Sequence, residues 1–400
     1  MDNRQTASPR QMGQTKILSI FSYAHFSEHL YSVLLVPLLP FIRDQFGLNY
    51  FQAGLLISAF SIASGMANLP MGWLADRLGM KQILALGIGG GSLTALAIGL
   101  STGYNQLFIL TILAGLFSGA YHPVSAAFLG GFFEPRRRGW ALGIHMVGGS
   151  FGVMAGPVIG GLLAKFLDWR WAFILMAIPA LPVIFFLLRL RHEKGATESS
   201  LSNTAVKPAP VEKLSMARML RPIALIMILT LIIQLISMGL TNLLPVFLVD
   251  ERNLSPAVAA MLLGLLRGGG IVGAPIGGFI CDKFGRKQGI MVAIVAIGPL
   301  LLLMSVTPVG WALFAVLFLL GIGTQLKQPA VQSLLVEAVP SGKQSTLLGV
   351  YFFFTAEGRS IMVPLIGFLM DTIGLKQTFI TLSLVAVAFS LAAVLLRKRV

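Results

Sequence analysis

Twelve long apolar stretches, separated by short polar ones, leave this chain little freedom in how it can fold. Six lie at 17–42, 51–75, 83–101, 105–130, 140–164 and 171–190. Six more lie at 221–249, 256–280, 289–307, 311–336, 345–370 and 376–396. A helix needs roughly 20 apolar residues to cross a bilayer, and each stretch supplies about that. Inside lipid every backbone donor and acceptor must be satisfied by the protein, which admits helices and closed barrels alone. Barrel strands alternate in polarity over about ten residues, whereas these stretches are continuous and longer, so helices are predicted. Charged residues make up 11% of the chain against about 25% in soluble domains, and nothing is left over for a sizeable soluble domain. The expected fold is an all-α membrane protein with twelve transmembrane helices.

The two sets of six are copies. Gly72-Trp73-Leu74-Ala75-Asp76-Arg77-Leu78-Gly79-Met80-Lys81-Gln82 recurs as Gly278-Phe279-Ile280-Cys281-Asp282-Lys283-Phe284-Gly285-Arg286-Lys287-Gln288, each position displaced by 206 residues. Pro40 matches Pro245, and Pro157-Val158-Ile159-Gly160 matches Pro364-Leu365-Ile366-Gly367. Asn49 and Ser255 stand where the N-caps of segments two and eight belong, the second followed by Pro256 at the first helical position. An even number of helices per copy orients both copies alike, which is a parallel repeat about an axis along the membrane normal. The chain therefore divides into an amino-terminal six-helix bundle at 1–190, a polar cytoplasmic linker at 191–220 and a carboxyl-terminal six-helix bundle at 221–400. Internal repeats of this type build transporters, with a substrate site between the copies.

A formal charge of +15 raises nucleic-acid binding, and its distribution argues against it. With the amino terminus cytoplasmic, Arg43, Lys165, Arg170, Arg252 and Lys376 fall outside, and Arg267, Lys327 and Arg359 fall within segments. The remaining Lys and Arg, including Arg136-Arg137-Arg138 and Arg397-Lys398-Arg399, fall inside, as the positive-inside rule requires. The expectation is a monomer in the cell inner membrane, multi-pass, with both termini cytoplasmic, surrounded by membrane lipid and without nucleic acid. The first segment is too long for a signal peptide and contains Glu28, so it is retained. The lone Cys281 forms no internal disulfide.

The duplicated loops carry a resemblance. Gly72-x-x-x-Asp76-Arg77-x-Gly79-x-Lys81 and its echo around Asp282, Lys283 and Arg286 are similar to the loop between the second and third helices of the major facilitator superfamily. Gly152-x-x-x-Gly156-Pro157-x-x-Gly160-Gly161 in segment five looks like the motif of that superfamily's exporters and antiporters. Tyr121-His122-Pro123 in segment four and Pro37-Leu38-Leu39-Pro40 in segment one resemble the fosmidomycin-resistance type of efflux protein. The resemblance covers nearly the whole chain. It implies two bundles that rock about a central cavity, with Asp76, Arg77, Lys81, Asp282, Lys283 and Arg286 latching the cytoplasmic side. It also implies a gating role for Gly156 and Pro157. The competing reading is a topology-setting basic loop, with glycines that serve close helix packing. Segment four lacks the arginine often found in drug–proton antiporters, and His122 stands near that region.

Charges at mid-membrane are costly and usually face a cavity or a partner. Segment one carries His25, Glu28, His29 and Ser32 on one helical face. Segment four carries Ser118, Tyr121, His122 and Ser125; segment seven carries Gln234, Ser237, Thr241 and Asn242; segment ten carries Gln325, Lys327, Gln328 and Gln332. In the superfamily these four helices line the central cavity. Glu28 is the leading proton-coupling carboxylate, with His25, His29, His122 and Glu357 as further proton sites. Tyr121, Gln234, Thr241, Asn242, Gln325, Lys327 and Gln328 are the substrate-binding candidates, Lys327 as a grip for an anionic or polar molecule. A structural hydrogen-bonded role, or an ion pair between Glu357 and a cation, is the alternative for these buried groups.

His25-x-x-Glu28-His29 also matches a zinc-peptidase pattern. In sequence it lies mid-membrane in a duplicated chain with no evident third ligand, so neither peptidase chemistry nor a resident metal is expected. No phosphate-binding loop occurs, no cofactor is expected, and an ion gradient is the expected energy source. The function read from the chain is secondary active transport of a small organic molecule by alternating access, as proton-coupled efflux. The alternative is a proton-linked importer of a small organic anion.

Overall fold

The computed structural model describes residues 9–189, 224–337 and 344–396, and within these the side chains of a few residues, among them 345–357 and 359, are not described. Its helices are α1 (Pro9–Ser32), α2 (Leu35–Phe46), α3 (Tyr50–Leu78), α4 (Met80–Gly99), α5 (Tyr104–Phe132), α6 (Pro135–Phe166), α7 (Trp169–Ala177) and α8 (Leu181–Arg189). They continue as α9 (Ala224–Asn242), α10 (Leu244–Asp250), α11 (Pro256–Phe284), α12 (Arg286–Val306), α13 (Trp311–Glu337), α14 (Gln344–Ile373) and α15 (Leu375–Leu395). No strand occurs among the described residues. Three predicted segments are each two helices: α1 with α2, α7 with α8, and α9 with α10.

The breaks follow from proline. Pro37 has no N–H to give the carbonyl of Val33, and its ring crowds that carbonyl, so the chain turns at residues 33 and 34 before α2 resumes. Segment seven bends at Leu243, just ahead of Pro245. The predicted N-caps form. Asn49 Oδ1 accepts the Gln52 N–H at 2.8 Å while Gln52 Oε1 accepts the Asn49 N–H at 3.1 Å, a reciprocal capping box. Ser255 Oγ accepts the Val258 N–H at 3.4 Å.

Ten helices among the described residues are long and apolar enough to cross a membrane, and Ser360–Ile373 is a shorter apolar helix. The buried share of these spans runs from 33% to 67%, so a large apolar surface points outward. Trp311, Phe166, Leu93 and Leu395 are among the exposed large side chains. Such a surface is stable in lipid and a liability in water.

The described residues pack into two compact units. Among the described residues, one compact unit holds 9–33, 63–156 and 170–189, and the other holds 34–62, 157–169, 224–337 and 344–396. The division falls at the α1–α2 break, within α3 and at Pro157 of α6. In the second unit the reason is close backbone approach. A Cβ on Gly54 would collide with the backbone at Pro364, and one on Gly367 with the backbone at Tyr50. One on Gly161 would meet Ala257 and Ala260. Phe247 stacks on Phe379 at 4.1 Å between ring centres and fixes α10 against α15. The linker at 191–220 lies outside the described residues.

Candidate functional site

In the first unit, glycines on α6 bring it hard against α1. A Cβ at Gly148 would strike the Ser22 carbonyl, at Gly149 the His25 ring, at Gly152 the Phe26 carbonyl, and at Gly156 the Val33 side chain. This contact lays His145 of α6 over His25, with ring centres 4.2 Å apart and planes 24° from parallel. From α5, Ser118, Tyr121 and His122 close the group.

Glu28 is fully buried. The Ser118 hydroxyl donates to Glu28 Oε1 at 2.8 Å. His29 Nδ1 lies 3.1 Å and His122 Nε2 3.8 Å from Oε2, yet Oε2 itself makes no hydrogen bond. His25 Nδ1 is 3.0 Å from the His145 carbonyl and His145 Nδ1 is 3.1 Å from the Phe21 carbonyl. A carbonyl can only accept, so each Nδ1 carries its proton and each Nε2 is left with a lone pair when the ring is neutral. The Tyr121 hydroxyl, wholly buried, also donates to the Phe21 carbonyl at 3.2 Å. One ring nitrogen from each of His25, His29 and His122 lies within 4.8 Å of the other two.

Thus His25, Glu28, His29, Tyr121 and His122, read separately from two segments, meet in one cluster. His145 joins them and was missed in the sequence, because it sits in segment five among glycines rather than on a polar stripe. Its signal was rarity: the chain has 5 histidines, and four lie in apolar segments.

In the second unit, Lys327 of α13 is fully buried. Its ammonium donates to Gln234 Oε1 of α9 and, at 3.3 Å, to the Thr324 carbonyl. Among the described residues no carboxylate pairs with it. Gln234 is oriented in turn by its Nε2 contact with Met238 Sδ at 2.9 Å. Thr241 donates back to Met238 within its own helix, and Asn242 accepts from Arg267 at 3.5 Å. Gln325 is exposed, and Gln328 Oε1 is buried without a hydrogen bond. The Glu357 side chain lies outside the described residues.

The duplicated loops have the same backbone. Gly79 (φ 102°, ψ 138°) separates α3 from α4 and Gly285 (φ 94°, ψ 159°) separates α11 from α12. Asp76 and Asp282 are exposed there, Arg77 covers the Trp73 ring at 3.9 Å, and Lys283 lies 5.4 Å from the Phe284 ring centre. Lys81 and Arg286 follow at the starts of α4 and α12.

A further cluster in the second unit was not anticipated. Arg43 donates to both oxygens of Asp250 and to Asp44, and the Tyr50 hydroxyl donates to Asp250 at 2.7 Å. Burial works against the Arg43 charge, but the bonds to Asp250 and Asp44 more than offset it and raise its pKa above the ordinary arginine value. Asp371 accepts the Tyr50 and Phe51 N–H groups at 3.0 and 2.9 Å, capping α3 from α14. The one hint in the sequence is that Asp44 and Asp250 are related by the repeat.

Residues 21–362 match the family described as the Major Facilitator Superfamily. The chain belongs to that superfamily. Similar proteins include the multidrug resistance protein MdtG of Salmonella dublin, 29% identical over 316 residues, covering 76% of each chain. MdtG of Salmonella schwarzengrund is 30% identical over 314 residues, with the same coverage. The probable 4-methylmuconolactone transporter of Cupriavidus pinatubonensis is 27% identical over 368 residues, covering 90% of this chain and 84% of that one. In fold the chain is similar to a bacterial homologue of the human lysosomal transporter Spinster, with a TM-score of 0.79 at 15% identity, covering 97% and 98% of the two chains. A peptide transporter in complex with sulfate gives a TM-score of 0.80, also at 15% identity, covering 98% and 99%. The chain is therefore a multi-pass membrane transporter of the Major Facilitator Superfamily rather than an enzyme, and its cargo is a small molecule.

Proposed function

We propose that this transporter exports a small drug-like or organic molecule across the inner membrane in exchange for protons, by alternating access of its two six-helix bundles. Both termini face the cytoplasm and the working unit is a monomer. The observation that carries the proton role is Glu28: a fully buried carboxylate with one oxygen held by Ser118 and the other unbonded beside His29 and His122. A group so placed can take up a proton in one state of the cycle and release it in another. His25, His29, His122 and Glu357 are the further proton sites. Export as the direction is supported by similarity to proteins named for multidrug resistance. Asp76, Arg77, Lys81, Asp282, Lys283 and Arg286, with Gly156 and Pro157, act as the gate.

The test is transport in proteoliposomes under an imposed pH gradient, screened over a panel of fluorescent cations and organic anions. Glu28→Gln is expected to abolish gradient-driven movement while leaving expression and monodispersity intact; full coupling in that variant removes Glu28 from the mechanism.

Proton-linked import of a small organic anion is the second reading. It is favoured by Lys327, a buried ammonium with no carboxylate partner among the described residues, and by the similarity to a protein named as a methylmuconolactone transporter.

A further inference from the structure

We propose that His25, His29 and His122 form a binding site for a divalent transition-metal ion of the zinc class. In the linear sequence His25-x-x-Glu28-His29 offers two imidazoles and lacks a third ligand. Folding supplies it, because α5 delivers His122 to α1 and places the three ring nitrogens within 4.8 Å of one another. Metal–nitrogen distances of about 2.0–2.1 Å set the nitrogens of a tetrahedral site about 3.4 Å apart, so side-chain rotations of about an ångström close the site.

Three further observations point to a cation here. A metal-bound histidine normally donates its other ring N–H to a carbonyl or carboxylate, which fixes the tautomer and aims the free nitrogen. His25 already does this through Nδ1 to the His145 carbonyl, and the hydrogen-bond partner of His29 Nδ1 is the Ser32 hydroxyl at 3.4 Å. Glu28 supplies the negative charge that a dication requires in a low-dielectric surround, and its Oε2 is buried, unbonded and directed at two of the rings. The His122 side chain is 38% exposed. The donor set of imidazole and carboxylate, without thiolate, suits Zn²⁺, Co²⁺ or Ni²⁺ rather than softer ions or the hard, oxygen-seeking Mg²⁺ and Ca²⁺. An ion bound there ties α1 to α5 and competes with protons for the same groups. The binding itself rests on the geometry of the cluster and needs no proton role.

Binding is measured on the purified full chain in detergent, free of any polyhistidine tag and with no gradient, so the outcome is independent of the Glu28→Gln transport test. Titration with Zn²⁺ by calorimetry is expected to give one ion per chain, with proton release. Co²⁺ is expected to give the intense visible bands of a four-coordinate site. His29→Gln and His122→Gln are each expected to weaken Zn²⁺ binding at least tenfold, and His192→Gln to leave it unchanged. Absence of bound Zn²⁺, a Co²⁺ spectrum identical to that of the ion in buffer, or affinity insensitive to all three cluster histidines overturns the proposal. Where a substituted chain is not monodisperse, the Co²⁺ spectrum of the unsubstituted protein decides.

Discussion

Lys327 and Glu28 are both fully buried, and their surroundings differ. Glu28 sits beside the imidazoles of His29 and His122, whereas Lys327 is held by neutral acceptors, Gln234 and the Thr324 carbonyl. A buried cation without a counter-charge is costly in lipid, and an anionic group of the cargo would relieve that cost. Lys327→Ala is therefore expected to weaken cargo binding at least tenfold, and Lys327→Arg by much less, read as half-saturation in proteoliposome transport. Equal and small effects would make Lys327 a packing residue. Gln234→Leu, which strips the ammonium of its side-chain acceptor, is expected to destabilise the protein by about 1–3 kcal/mol, seen as a lowered midpoint of thermal unfolding in detergent.

At the level of helices, the basic loops contain two devices that sequence alone merges. Gly79 and Gly285 begin α4 and α12 with positive φ, and Gly374 begins α15 in the same way at φ 92° and ψ 154°. Each is followed by Lys and then Gln at the third position, and the Gln carboxamide folds back over the glycine. Gly367-x-x-x-Asp371-x-x-Gly374-x-Lys376-Gln377 repeats the loop pattern a third time, so Asp-x-x-Gly-x-Lys-Gln is a way of starting a helix after a sharp turn, whereas the basic Arg77 and Lys283, where Thr372 stands in the third copy, are what the two loops add. Gly79→Ala and Gly374→Ala are expected to cost similar stability, about 1–3 kcal/mol each for a forced left-handed conformation. Of the two, Gly79→Ala alone should slow transport if the loop gates. On α6, Gly149→Leu is expected to be more damaging, since its side chain would displace the His25 ring and with it the histidine cluster.

For the molecule as a whole, the cluster of Arg43, Asp250, Tyr50 and Asp371 joins α2, α3, α10 and α14 within one compact unit. Its residues come from both copies of the repeat, so it belongs to the assembled fold rather than to either copy. A double-mutant cycle on Arg43→Ala and Asp250→Ala is expected to show a coupling of about 1 kcal/mol or more in thermal unfolding; independent effects would make the contact incidental. Orientation is testable separately. The basic residues predict a cytoplasmic carboxyl terminus, so a fluorescent-protein fusion there should fluoresce, and a periplasmic phosphatase fusion should be inactive.

Fold class, repeat and family were legible in the chain because hydropathy and the duplicated loop are local properties, carried by consecutive residues. The segment breaks ahead of Pro37 and Pro245 were not read from the sequence, where each stretch counted as one helix, although proline acts on its own helix turn. Polar stripes at His25, Glu28 and His29 and at Ser118, Tyr121 and His122 could be read one helix at a time, because period alone selects a face. Which stripes meet is a matter of helix contact, and that was decided by glycines on α6 and by backbone approach that no periodicity encodes. For the same reason His145, the unbonded oxygen of Glu28 and the Arg43–Asp250 pair emerged with the tertiary structure alone: each depends on side chains distant in the sequence being carried to within a few ångströms by the packing of apolar helices.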